Sequence, residues 1–490
     1  MSDSLRTKTL HGVSWSFLDR AGQFGIQFVI SVILARLLEP AQFGLIAMLS
    51  IFMAVAQSLI DSGFGSALVQ KQDATRVDES SIFYFNIAVG FVAAGLLCLA
   101  APWIAAFYKM PLLVPLTRVL SLTLIVNAFG LVQTALLCKS VDFKKQMKVG
   151  VIAVAASGAV GVLLAYLGFG VWSLVIQSLC SNIFRTILLW LVYSWRPMWA
   201  FSLASLRGMF SYGSKLLFSG LLDTIYSNIY VLVIGKVYSP ADLGLYSRAM
   251  GIQQVPVDNI AVSVARVTFP VFASVQDDKA RLKRGVKEAL KTVTLVTFPL
   301  MIGMAVCAKP LIRVLLTDKW LPAVPYLQLL CVVGMVYPLH AINLNVLRAQ
   351  GRSDLFFRLN VITKAIGVVA LFVTFRWGII VMIYGQIAAS IIGYYVNTYY
   401  TVKLLKYPIT EQVLDLLPTL GLATAMGGAV LALTMIPIQN QLILLASQVI
   451  TGATLYVLLC RLLRVPSFMS MVEKIGPRLR ALRPASQTRA

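Results

Sequence analysis

The chain is 490 residues long, 59% hydrophobic and only 12% charged, with a mean hydropathy of +0.82. Soluble domains carry about 25% charged residues, and half that fraction cannot coat water-facing surfaces over this length. A soluble enzyme, a nucleic-acid-binding protein and a disordered scaffold are therefore excluded, and an integral membrane protein remains. In that setting the net charge of +23, from 42 Lys and Arg against 19 Asp and Glu, reads as the basic excess of cytoplasmic loops.

From the N-terminus, residues 1–17 lack the short apolar core and small-residue cleavage site of a signal peptide. Runs long and apolar enough to cross a bilayer then follow at roughly 14–35, 43–61, 82–101, 113–137, 149–167, 171–193, 210–235, 241–263, 292–308, 323–347, 359–374, 379–400, 414–436 and 440–460. The fold class is thus an all-α membrane protein of about 14 transmembrane helices. The fifth and sixth runs are joined only by Gly168-Phe169-Gly170. The longest loop, around 264–291, reads as cytoplasmic and amphipathic. The longest loop on the opposite side lies near Lys309–Pro322. The tail after Arg461 is basic and reads as lying on the membrane surface or as disordered.

Lys and Arg counts orient the spans. With the N-terminus in the cytoplasm, that side carries 30 of the 42 basic residues, Lys364 near the start of its span among them. The opposite side carries seven, and five lie within spans: Arg20, Arg118, Arg185, Lys215 and Arg248. The expected topology is N-in and C-in.

An internal repeat is visible. The segment Ala35-Arg-Leu-Leu-Glu-Pro-Ala-Gln-Phe-Gly-Leu45 has a partner 200 residues later, Gly235-Lys-Val-Tyr-Ser-Pro-Ala-Asp-Leu-Gly-Leu245, with Pro40/Pro240, Ala41/Ala241, Gly44/Gly244 and Leu45/Leu245 identical. A weaker echo pairs Val114-Pro115 with Val324-Pro325. An offset holding six spans preserves direction through the membrane, which makes the repeat parallel. The expected organisation is an N-lobe over 1–200, a C-lobe over 201–405, two appended spans over 406–465 and a basic cytoplasmic tail over 466–490. Two such lobes suit a transporter that alternates between inward- and outward-open states.

Charge inside the bilayer costs roughly 2.5–3.5 kcal/mol per group, so such residues face protein or water. The first span carries Asp19 and Arg20, with Asp19, Gln23 and Gln27 on one helix face; the seventh carries Lys215, Ser219, Asp223 and Ser227, also at four-residue steps. Both stripes read as the lining of a cavity. Arg20, Arg185 and Lys215 could share one depth near the cytoplasmic side, and Arg248 sits nearer the other. The competing reading is snorkelling of long stems to the interface, or local neutralisation of Asp19 by Arg20 and of Asp223 by Lys215. Asp61 and Asp258 read as interfacial. His340, flanked by Tyr337, Asn343 and Asn345, reads as a hydrogen-bonded structural residue or a proton relay. The six scattered Cys form no CxxC and no cluster with the two His, so neither disulfides nor a metal site are expected.

Five segments together resemble a known family: Ala35–Leu45 (ARLLEPAQFGL), Asp61–Gln70 (DSGFGSALVQ), Arg266–Gln276 (RVTFPVFASVQ), Asp318–Leu329 (DKWLPAVPYLQL) and Leu347–Asp354 (LRAQGRSD). They resemble the Wzx-type polysaccharide flippases, the lipopolysaccharide or colanic-acid exporter subgroup of the multidrug/oligosaccharidyl-lipid/polysaccharide exporter superfamily. The resemblance implies two six-helix bundles with extra C-terminal helices in the bacterial inner membrane. It implies translocation of an undecaprenyl-diphosphate-linked oligosaccharide to the periplasmic leaflet, through a cationic cavity for which Arg20, Arg185, Lys215 and Arg248 are the candidates. It also implies membrane lipids as surroundings and transient association with a polysaccharide polymerase and a chain-length regulator. Gln23, Gln27 and Ser219 would add polar lining, and Asp19 and Asp223 are candidates for ion coupling. No GxxxxGK[ST] is present, so an ion gradient or the membrane potential would supply energy and no cofactor is expected. The alternatives are a peptidoglycan-precursor flippase or a drug/cation antiporter of the same superfamily. A membrane polymerase or ligase would need a large periplasmic loop that this chain lacks.

Overall fold

The structure, a computed structural model, describes residues 22–481 except 62, 72, 141 and 437; the side chains at 211, 212, 215, 216 and 474–481 also lie outside the described set. Among the described residues there is no strand. The helices are α1 (Gly22–Leu37), α2 (Pro40–Asp61), α3 (Phe64–Gln70), α4 (Arg76–Tyr108), α5 (Leu113–Ala128), α6 (Leu131–Lys139), α7 (Phe143–Tyr166), α8 (Val171–Val192) and α9 (Leu203–Val237). They continue as α10 (Pro240–Ser274), α11 (Lys279–Val306), α12 (Ala308–Leu316), α13 (Val324–Ala349), α14 (Ser353–Thr374), α15 (Ile379–Leu405), α16 (Ile409–Ala432), α17 (Gln441–Leu462) and α18 (Pro466–Ala481).

Within the described residues every expected apolar run falls on helix. Twelve helices are long and apolar enough to span a membrane, and thirteen spans result if α5 and α6, bent by 42°, form one. The expected fourteen is not reached among the described residues, because the first run begins outside them and α1 is short. This is a multi-pass membrane protein. Helices alone suit that setting, since each satisfies its own backbone in hydrocarbon.

Three expected loops are corrected. The 264–291 stretch is almost wholly helical: α10 continues to Ser274, and α11 begins after Asp278, whose carboxylate accepts from the Ala280 and Arg281 N–H groups. Residues near Lys309–Pro322 form α12 and a 3-10 turn. The C-terminal tail continues as α18 rather than as disordered chain up to Ala481.

The chain folds as two compact units, 1–247 and 248–490. In the first, small residues let helices approach closely, as membrane packing favours. A Cβ at Gly158 of α7 would lie 2.0 Å from Ile30 of α1, and one at Gly161 would lie 2.8 Å from Gln177 of α8. The turn between α7 and α8 uses left-handed Gly168 (φ +82) and Gly170 (φ +56). The two repeat loops meet each other. A Cβ on Gly44 would lie 1.7 Å from the Pro240 carbonyl oxygen, and one on Gly244 would lie 1.9 Å from that of Pro40.

The connection from α8 to α9 is strapped across the start of α4. The Trp195 indole donates to Glu79 at 2.6 Å, the Met198 N–H to Ser80 Oγ at 2.9 Å and the Ser202 N–H to Ser81 Oγ at 2.8 Å. Phe83, Trp195, Leu206 and Met209 pack with Phe64 and Leu68 beneath it. Thr75 and Asp78 cap α4 reciprocally, and Asp78 also bonds Lys71 at 2.8 Å. That hydrogen bond holds the Lys71 ammonium above its ordinary pKa.

The second unit has its core between α11, α13, α15, α16 and α17, around Leu290, Phe298, Ile342, Val346, Ala423 and Met426. A ladder of charges joins α11 to α16. Lys283 meets Glu411 at 2.8 Å, Lys287 meets Glu411 at 3.4 Å and Asp415 at 2.9 Å, and Lys291 meets Asp415 at 3.1 Å. Tyr407 donates to Asp415 at 2.8 Å. Three basic residues that the sequence reading assigned to a loop thus stand at i, i+4 and i+8 on one helix face, opposite acids at i and i+4 on another.

Candidate functional site

The structure brings some of the sequence candidates together within the first unit. On α9, Ser219, Asp223 and Ser227 are all exposed along one face. The adjoining face of α9 packs on α2 through a polar seam: Ser58 and Thr224 hydroxyls at 3.1 Å, and Ser50 Oγ donating to Asn228 at 3.4 Å. Phe218, Leu222 and Ile225 are exposed along the same stretch, so this part of α9 is left uncovered by the described residues.

Arg185 is exposed on α8, within electrostatic reach of the Asp61 carboxylate and the Cys138 thiol. Asp61 stands at the end of α2 and accepts from Gln57 Nε2 at 2.9 Å. Two residues on, Gly63 (φ +70) lies against the backbone of Gly213 on α9, where a Cβ would come within 2.6 Å of the Gly213 oxygen. That contact sets Asp61 near the stretch of α9 that carries Lys215. The Lys215 side chain itself is outside the described residues, as are Asp19 and Arg20 entirely.

Asp61, read from the sequence as interfacial, stands exposed at the end of α2, four residues from Gln57. Gln23 is half-buried, its amide against Gly150 of α7, and so packs between helices; Gln27 is exposed.

Two candidates lie in the second unit. The Arg248 guanidinium is 5.7 Å from the ring centre of fully buried Trp320, a cation–π pairing that gives a basic group at membrane depth a partner. His340 Nδ1 meets Asn397 Nδ2 at 2.9 Å and its Nε2 meets Ser390 Oγ at 3.4 Å, edge-on to Tyr394. Both ring nitrogens thus have polar partners. Among the described residues no group of His, Cys, Asp or Glu could hold a metal ion.

This fold, with a polar and charged face along a membrane helix, defines a multi-pass transporter. Solved structures share it. The lipid II flippase MurJ in an inward closed conformation superposes with a TM-score of 0.71, covering 95% of this chain and 99% of that one at 15% identity. A MATE family multidrug resistance transporter of the MOP superfamily, inward-facing, gives 0.61 over 78% and 96% at 15% identity. The chain belongs to the polysaccharide biosynthesis protein family, whose pattern matches residues 33–325. It is 30% identical to the teichuronic acid biosynthesis protein TuaB of Bacillus subtilis over 72% of this chain and 74% of that one. It is 28% identical to the lipopolysaccharide biosynthesis protein WzxC of Escherichia coli over 79% and 77%. It is 30% identical to the succinoglycan biosynthesis transport protein ExoT of Rhizobium meliloti over 67% of each.

Proposed function

We propose that this protein is a flippase of the bacterial inner membrane. It carries an undecaprenyl-diphosphate-linked oligosaccharide from the cytoplasmic to the periplasmic leaflet by alternating access. The carrying observation is the open face of the first unit, where Arg185 stands exposed at membrane depth near the part of α9 that bears Lys215, followed by Ser219, Asp223 and Ser227. A diphosphate needs cationic groups in a sheltered setting, where charge-assisted hydrogen bonds are strong. The glycan beyond it needs hydroxyl-bearing walls. Family membership and relatives named for polysaccharide synthesis and transport support the same substrate class.

In this reading the N- and C-termini are cytoplasmic, and the lobes are 1–200 and 201–405 with 406–465 appended. Arg20 and Arg248 contribute to the cationic character, and Asp19 and Asp223 are the coupling candidates for an ion gradient. The protein performs transport rather than bond chemistry, and a polymerase and chain-length regulator receive its product.

Arg185→Ala and Lys215→Ala together are expected to lower surface polysaccharide at least tenfold, with the protein still inserted at wild-type levels. Immunoblotting of membranes and quantitation of surface glycan check this. Normal surface glycan in the double variant would overturn the cationic site.

A further inference from the structure

The polar face of α9 does not end at Ser227. Half-buried Tyr226 borders it, and buried Tyr230 stands about one turn beyond. From Ser219 to Tyr230 the stripe runs about 16 Å at 1.5 Å per residue, and it passes from exposed groups to enclosed ones. At the enclosed end Tyr230 has Tyr226 and Tyr246 of α10 as electrostatic neighbours. Tyr230 and Tyr246 are 8% and 1% exposed, and among the described residues neither hydroxyl has a hydrogen-bond partner.

Buried phenols ordinarily find a partner, because leaving one without is costly. Two together, from two helices, at the end of one polar stripe, constitute hydrogen-bonding capacity held in reserve. The group is uncharged, so it does not suit a diphosphate. A phenol offers an O–H that both donates and accepts beside an apolar ring face. A sugar ring presents the complement, with hydroxyls at its rim and C–H groups on its face.

We propose that Tyr230 and Tyr246 form a subsite for the glycan part of the substrate, remote from the diphosphate. The inference rests on the flippase reading above and adds an orientation to it. The diphosphate lies towards Arg185 and the start of the stripe, and the sugars extend along Ser219, Asp223 and Ser227 to the phenols. Both hydroxyls are closed over in the conformation described, so the glycan meets them as the transport cycle opens that end.

The test uses the full-length protein in proteoliposomes with two substrates: an undecaprenyl-diphosphate carrying a complete repeat unit, and one carrying a single sugar. Tyr230→Phe/Tyr246→Phe keeps both rings and removes only the hydroxyls. It is expected to slow flipping of the complete unit about tenfold and leave the single-sugar lipid unchanged, whereas Arg185→Ala slows both. Equal flipping of the complete unit by wild type and the Phe variant would overturn the subsite. So would equal loss on both substrates, which would mark the hydroxyls as structural; thermal melting of the variant reads that role directly. If the wild-type protein flips neither lipid, the flippase reading fails, and this inference fails with it.

Discussion

Gly44→Ala or Gly244→Ala is expected to deprive the protein of its stable fold. The two glycines belong to the repeated loops, and each approaches the other loop's proline carbonyl so closely that an added methyl would sit 1.7 or 1.9 Å from oxygen. The obstacle is backbone, not the end of a flexible side chain, so relief requires the starts of α2 and α10 to part by more than an ångström. Ordinary overpacking costs about 1–3 kcal/mol; here no side chain can rotate away, and the cost lies at or above the upper end. Thermal unfolding in detergent checks this, with Gly95→Ala as the control, since a Cβ there meets nothing within 4 Å. A Gly44→Ala protein melting with the wild type would show that the loops do not meet this way.

Asp415→Ala is expected to be the most damaging single change in the charge ladder. Asp415 serves Lys287, Lys291 and the Tyr407 hydroxyl at once, and its side chain is only 12% exposed. Removing it leaves Lys291 and the buried Tyr407 hydroxyl without an acceptor and Lys287 with Glu411 alone, at 3.4 Å. Breaking a buried pair from one side costs about 3–5 kcal/mol, and the partial exposure of both lysines places this case at about 3 kcal/mol. Glu411→Ala should cost no more than about 1 kcal/mol, because its side chain is 35% exposed and water can replace it. Melting curves of the two variants compare them directly. Equal shifts would refute the ranking.

The helices were legible because hydrocarbon imposes a simple rule, about 20 apolar residues per crossing, and the runs at 82–101 or 379–400 obey it plainly. The α11 helix was less legible. Its first half is so rich in Lys and Arg that hydropathy reads it as a loop, and only the acids of α16, over a hundred residues later, explain why those charges sit on a packed helix. Ser219, Asp223 and Ser227 were legible from their four-residue step, which puts them on one face whatever surrounds them. Gln23 shows the limit of that step, because periodicity names a face and cannot say that Gly150 lies against its amide. Position near a helix end likewise could not show that Arg185 of α8 is an electrostatic neighbour of Asp61.

The strap over α4 has a consequence for how the protein is made. Met198 binds Ser80 across 118 residues of sequence. At about 5–20 residues per second of synthesis, the serines at the start of α4 are in place roughly 6–24 s before their partners are made. The cluster beneath the strap is completed only by Leu206 and Met209 of α9, which follow the strap in the chain. Assembly of the first unit is therefore a matter of elapsed time at the ribosome, with Ser80, Ser81 and Glu79 as the waiting half of a clasp.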